Sequence, residues 1–260
     1  MPEALLACET HGSPRETALL LVHPMGTDRR FWEECIALWR DRYYCVATDL
    51  ANSGESFRTD SPVTIPRNAA NLERLRKHLD IESVVAIGCA LGSMVAACYA
   101  ARYPRSTRAL VMANPGVRNT DAADAMLRER AAVARASGMS ALLPAAADRA
   151  FHQQPRDERY RRHLERYAAQ DAATFARSVE GYVGADITDE LSRIDCPTLL
   201  VSGEHDVLMP ADAAQRIKEV VSRAEVVSLP GAAHFLPFQA PDRFARSVVA
   251  FLERHAIASI

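Results

Sequence analysis

Lysine is nearly missing from this chain: Lys77 and Lys218 are the only two among 31 basic residues, the rest being arginine. A GC-rich bacterial genome produces that bias without any functional arginine surface. Long apolar runs are missing too. No stretch approaches the roughly 18 uninterrupted apolar residues of a membrane span. The start, M-P-E-A-L-L-A-C-E-T, lacks a basic region followed by a sustained apolar run. These absences predict a cytoplasmic protein with no membrane partner. The six cysteines (Cys8, Cys35, Cys45, Cys89, Cys98, Cys196) form no C-x-x-C and no Cys/His pair at zinc spacing. Reduced thiols, no metal and no cofactor are therefore expected. A net charge of −2 gives no electrostatic reason to expect nucleic acid.

What is present is an ordinary globular composition, 48% hydrophobic and 25% charged over 260 residues, enough for one large α/β unit. Residues 4–10 and 18–23 read as strands around a turn at Gly12-Ser13-Pro14. His23 and a tight loop at Gly26 lead into a helix over 29–39, and a strand follows at 43–49. Leu72, Leu75 and Leu79 mark an amphipathic helix over 67–79. Strands at 84–87 and 108–113 bracket a helix at 93–103 that Pro104 ends. Strand and helix in alternation predict a doubly wound, mostly parallel sheet.

Residues 117–188 break that rhythm with helical stretches interrupted near Gly138, Pro144, Pro155, Asp171 and Gly184. An insertion between two strands of a parallel sheet reads as a helical cap over the ligand-binding edge. The core is then 1–116 with 189–260. In the cap, Arg156, Arg159, Arg161, Arg162, Arg166, Tyr160 and Tyr167 alternate with Asp157, Glu158 and Glu165, which reads as a solvated face. The sheet resumes at 197–201 and 226–229 with a helix over 211–222 between them, and a final helix covers 241–255, with Phe244, Val248, Phe251 and Leu252 on its apolar side.

The chain is organised around Gly88-Cys89-Ala90-Leu91-Gly92, where a β-branched strand turns sharply into a helix of small residues. Glycines flank the tip because side chains there would collide with neighbouring backbone. G-E-H-D-V-L-M-P follows a later strand, and G-A-A-H-F precedes the last helix. These three motifs, in this order and spread over essentially the whole chain, resemble the α/β-hydrolase superfamily, whose tip residue is a nucleophile. The H-P-M-G-T-D-R-R-F-W loop and the cap resemble 3-oxoadipate enol-lactonase-like enzymes. G-C-A-L-G is similar to the elbow of the aminoacrylate hydrolase-like proteins of pyrimidine breakdown, which can also show Ala there.

The resemblance implies roles. Asp206 orients His234, His234 is the general base, and the amides of Met25 and Leu91 form the oxyanion hole. Pro24 has no N–H to give. His23, Trp32 and Phe235 are candidates for the pocket wall; Glu204 and His205 are bystanders, and Asn114 is not a substitute acid. The position of the nucleophile holds Ala90. Cys89, one residue earlier, should point away from the pocket, and Ser93 lies in the first helical turn.

Three readings of Ala90 stand open: a Ser replaced by an experimenter, a natural enzyme in which His234 and Asp206 activate water, or a silent protein that binds a small ligand. The expected activity is cofactor-free hydrolysis of a small ester, lactone or related activated carbonyl compound, by a monomer or homodimer. A cofactor-free lyase or oxygenase using His234 as base is the enzymatic alternative.

Overall fold

The computed structural model describes residues 4–209 and 212–257. Strand β1 (Cys8–His11) and strand β2 (Ala18–Val22) are followed by a 3-10 turn at Arg29–Trp32 and helix α1 (Glu33–Trp39). Then come β3 (Tyr44–Thr48), α2 (Ile65–His78), β4 (Val84–Cys89), α3 (Leu91–Arg102) and β5 (Thr107–Ala113). The sheet has seven strands among the described residues, in the order β1-β3-β2-β4-β5 and then the two strands that close the chain. Only β1 runs antiparallel, against β3.

β1 and β2 flank a turn but are not neighbours, because β3 lies between them. The turn itself is pinned elsewhere. A Cβ on Gly12, at φ +88°, would sit 2.2 Å from the Tyr43 carbonyl oxygen, so the turn lies against the backbone leading into β3. The helix expected over 29–39 opens with its first turn tightened to 3-10, started by Asp28, whose carboxylate accepts from the Arg30 amide. Helix α2 begins at Ile65 rather than 67, because Pro66 is tolerated in a first turn.

Between β5 and the next strand lie α4 (Asp121–Ser137), α5 (Ala145–Ala150), α6 (Glu158–Ala168), α7 (Ala172–Glu180) and the short α8 (Thr188–Leu191). Thr120, Asp157 and Asp171 cap α4, α6 and α7 through their side-chain oxygens. The chain enters and leaves this segment side by side: Ile187 N–H donates to Val117 O at 2.9 Å and Asn119 N–H to Ala185 O at 2.8 Å. The rest is β6 (Thr198–Gly203), α9 (Ala213–Val220), β7 (Ala224–Leu229), α10 (Leu236–Gln239) and α11 (Pro241–Arg254). Pro210 and Ala211, at the expected start of α9, lie outside the described residues.

Alternate residues of each strand feed two cores. Leu20, Val22, Val46, Ala86, Leu110, Met112 and Leu200 meet α2, α3 and α9 on one face. Leu19, Leu21, Ala47, Val85, Ile87, Val111 and Val201 meet α1, α10 and α11 on the other. Covering both faces is what makes β2 and β4 continuous apolar runs. No helix among the described residues is long and apolar enough to cross a membrane.

Candidate active site

The C-terminal ends of β4, β5 and β6 meet at one place. Ala90 stands between β4 and α3 at φ 51°, ψ −122°, a conformation that costs a non-glycine residue of order 1–3 kcal/mol. It is held there by its neighbours. The Ala90 N–H donates to Ala113 O at 2.8 Å, and its own carbonyl accepts from the Ser93 amide at 2.9 Å and the Ser93 hydroxyl at 2.6 Å. A Cβ on Gly88 would lie 2.2 Å from Gly92 O, and one on Gly92 would lie 2.4 Å from His23 O. The two glycines therefore let the turn close on itself and let the start of α3 press against the end of β2. That second contact brings the Met25 loop beside the elbow. Leu91 is the first residue of α3, so its N–H has no partner within the helix.

Neither alternative nucleophile faces the cavity. The Cys89 thiol is fully buried, directed 3.6 Å from the His234 carbonyl, and burial pushes its pKa well up. The Ser93 hydroxyl is spent on Ala90 O.

The His234 Nδ1 lies 3.1 and 3.0 Å from the two oxygens of Asp206. Oδ1 of Asp206 also accepts from the amides of Leu208 at 2.8 Å and Met209 at 3.2 Å. Burial alone raises the Asp206 pKa; the charge of His234 and these hydrogen bonds outweigh it and hold the carboxyl below the usual range. Asp206 is thus an anion that fixes the His234 tautomer, leaving Nε2 without a hydrogen-bond partner among the described residues. Gly203 permits this geometry, since a Cβ there would lie 2.6 Å from Ala233 O. Glu204 is on the outside of the same loop, where its carboxylate accepts from Gly231 N–H.

His234, Ala90, Leu91, Met25 and Phe235 line a cavity of about 110 Å³ whose other wall comes from α4, α5 and α6. Two expected wall residues are elsewhere. His23 is buried behind the loop, its Nδ1 bonded to Pro24 O at 2.9 Å and its Nε2 accepting from Leu50 N–H at 3.0 Å, so it braces the loop that carries Met25. Trp32 is fully buried against Phe31 and Phe244 in the α1–α11 core. The apolar side of α1 faces the sheet, so its aromatic neighbour belongs to the core rather than to the pocket.

Four polar residues of the wall escaped sequence reasoning: Asn119, Arg130, His163 and, as a wall residue, Tyr167. Tyr160, His163 and Tyr167 repeat at i, i+3, i+7 along α6 and form its buried stripe. A histidine inside an otherwise aromatic stripe was the available signal. Burial, then the nearby charges of Arg166 and His234, bring His163 down to about 4. The α6 arginines are not simply solvated. Arg159 and Arg162 bind Glu34 at 2.6 and 2.7 Å, and Arg166 binds Glu33 at 3.0 Å, clamping α6 to α1; Arg156 pairs with Asp148 and Arg161 with Glu158. Arg130 has no carboxylate partner among the described residues.

A larger cleft of about 260 Å³ lies beyond the Thr27–Arg30 loop. Arg29 pairs there with Asp49, Arg30 with Asp28 and Arg166 with Glu33, Arg58 donates to the Ser56 and Gly54 carbonyls, and neither Ala90 nor His234 faces it. No group of three or more His, Cys, Asp or Glu among the described residues could hold a metal ion.

The fold that carries this imidazole–carboxylate pair and glycine-flanked elbow is shared with known proteins. The sequence profile of the alpha/beta hydrolase fold matches residues 17–241, and the chain belongs to that family. It is 25% identical to 3-oxoadipate enol-lactonase 2 of Acinetobacter baylyi, over 94% of this chain and 92% of that one. It is also 25% identical to a putative carbamate hydrolase RutD of Caulobacter sp., over 95% and 96%. Among solved structures, the enol-lactonase from Burkholderia xenovorans LB400 superposes with a TM-score of 0.89 at 23% identity, covering 95% of this chain and 96% of that one. The thermophilic esterase from Thermogutta terrifontis gives 0.88 at 24%, covering 96% and 93%.

Proposed function

We propose that this α/β-hydrolase cleaves a small ester or lactone that carries a carboxylate, without a cofactor and without a covalent intermediate. The observation that carries the reading is the grip of Asp206 on His234 Nδ1, which leaves Nε2 free beside a tip that bears only the Ala90 methyl. In this mechanism His234 Nε2 takes a proton from water as the water oxygen attacks the substrate carbonyl. The amides of Met25 and Leu91 hold the developing oxyanion, each donor worth about 2.7–4 kcal/mol. Collapse of the tetrahedral intermediate breaks the bond to the leaving oxygen, and the imidazolium returns its proton to that oxygen. Asp206 stays ionised throughout.

The substrate class rests on two supports. Arg130 is an unpaired cation on the cavity wall, while the arginines of α6 are all matched with carboxylates. The relatives include 3-oxoadipate enol-lactonases; 3-oxoadipate is a dicarboxylate, so a lactone closed through one carboxyl keeps the other ionised. Residues 117–188 act as the cap that sets this specificity.

The test is turnover of activated esters and enol-lactones, with and without a free carboxylate, by this chain, Ala90→Ser and His234→Ala, with intact mass followed during the reaction. The expected result is turnover by the Ala90 chain with no acyl adduct, and a loss of about 10²–10⁴-fold in His234→Ala. An inert Ala90 chain beside an Ala90→Ser form that is active through an acyl adduct overturns the water mechanism. Oxygen consumption or C–H cleavage in place of hydrolysis overturns the reaction class, and binding without turnover in every form leaves a ligand-binding protein.

A further inference from the structure

Three histidines are buried among the described residues: His23, His163 and His234. His23 and His234 are hydrogen-bonded through Nδ1. His163, only 7% exposed, has no hydrogen-bond partner among the described residues, and it lines the cavity. Its contacts are with rings: Phe151 at 5.5 Å, Tyr167 at 5.8 Å and Phe235 at 5.1 Å between centroids. Phe235 stands 5.1 Å from His234 as well, so one phenyl ring serves as the common neighbour of both imidazoles.

The fully enclosed side-chain atoms that lack a partner include Tyr167 Oη but neither ring nitrogen of His163, so the imidazole of this nearly buried residue meets open space rather than packed atoms, and a group that fills that space can satisfy it. Open space meets His163 on two sides, a crevice of about 20 Å³ toward Gly26, Thr27 and Asp28 and the larger cavity at Ala90, and only the second has room for a substrate. Aromatic rings pack around the imidazole, while the cavity side is the side that a substrate under attack at the Ala90 elbow would share. Because the ring stays neutral, one nitrogen donates and the other accepts. Such a group does not select an anion. It suits a hydroxyl, a ketone or an amide.

Building on the proposed hydrolysis, we infer that His163 is a specificity residue: it hydrogen-bonds a neutral oxygen- or nitrogen-bearing group on the acyl part of the substrate. A pocket that commits a buried polar group in this way rejects isosteres lacking the partner much more strongly than a purely apolar wall does. Phe235 holds His163 and His234 in a common frame, which ties the position of that group to the carbonyl under attack.

The experiment compares ethyl butyrate with ethyl 2-hydroxybutyrate, ethyl 3-hydroxybutyrate and ethyl acetoacetate. It is run on the full chain, His163→Leu and His163→Gln, with folding checked by circular dichroism. Binding of butyramide against 2- and 3-hydroxybutyramide is measured by calorimetry in the same proteins and in His234→Ala, so that recognition is read apart from turnover. The expected result is a preference of about tenfold or more for one oxygenated member in kcat/KM and in Kd. That preference should be lost in His163→Leu, partly kept in His163→Gln, and unchanged for binding in His234→Ala. Turnover without any such preference, or with one that survives His163→Leu, overturns the role of His163 and leaves hydrolysis standing. A binding preference that depends on His163 in a chain that turns nothing over sustains this inference and sinks the proposed reaction. If neither binding nor turnover discriminates, His163 has no such role.

Discussion

The side-chain amide of Asn114 donates to the main-chain carbonyl of His234 at 2.8 Å. The same Nδ2 reaches Ala233 O at 2.8 Å, and Oδ1 accepts from Gly203 N–H at 2.7 Å. One residue at the end of β5 thus joins the acid loop to the histidine loop. It does so from φ 46°, a left-handed conformation that Asn tolerates better than most residues. Asn114 is no acid; its role is mechanical.

Asn114→Leu keeps the γ-branched shape and removes all three bonds. Stability should fall by roughly 2–4 kcal/mol, from buried groups left unpaired and from the left-handed backbone. In urea titrations the midpoint should drop. Among molecules that remain folded, kcat should fall more than KM rises, since the base is displaced while the cavity wall is intact. A variant with unchanged kcat would refute the positioning role.

Gly92→Ala should be worse than its chemistry suggests. The added methyl would lie 2.4 Å from His23 O and 2.6 Å from Val22 O, and both are backbone atoms of a buried parallel strand. Overpacking of this kind costs about 1–3 kcal/mol or more. It also pushes the Met25 loop away from Leu91, so hydrolytic activity should be lost even at temperatures where the variant is folded. Calorimetric Tm and activity measured on the same sample check both parts.

Arg130→Gln separates charge from shape. For substrates bearing a carboxylate, kcat/KM should fall about 10–100-fold, carried mainly by KM. Neutral esters of the same size should lose less than threefold. Equal losses for both classes would remove Arg130 from substrate recognition.

The pH dependence of stability has a sign set by His163. Its folded value of about 4 lies below the ordinary 6.5, so between these limits the unfolded chain binds a proton that the folded chain refuses. Stability is therefore full above pH 6.5 and declines as pH falls, by up to roughly 3 kcal/mol at about pH 4, with no further contribution below. Asp206 adds a second loss at lower pH, because its depressed carboxyl must be protonated as pH falls through its folded value. Denaturant midpoints of His163→Leu should be flat across the upper window and still fall in the lower one.

Sequence patterns reached the parts of the site that backbone geometry dictates. Gly88, Gly92 and Gly203 are demanded by approaches closer than a Cβ allows, and such demands leave local marks that place Ala90, Asp206 and His234. The far wall is different. Which residues of α4 and α6 face the cavity depends on how that segment is set on the core, and Glu33 and Glu34 of α1 fix this by gripping Arg166, Arg159 and Arg162. Pairings across more than a hundred residues leave no periodic trace, so nothing in the sequence marks Arg130, and His163 shows only as the odd member of the aromatic stripe of α6. His23 and Trp32 failed for a related reason. Their neighbourhood in the chain is the Met25 loop, but their burial belongs to the sheet and to α11.

At the elbow, Ala90 keeps a left-handed backbone that a nucleophile would need, although its methyl does no chemistry. Shape and reaction are thus written in different atoms of one residue. The contacts of Gly88, Gly92, Ala113 and Ser93 with the main chain set where the Leu91 N–H points, whatever the side chain at the tip. Ala90→Gly and Ala90→Ser should therefore fold to the same turn, which makes this position a socket: the side chain at the tip can change with no rebuilding of the sheet, the acid loop or the histidine loop.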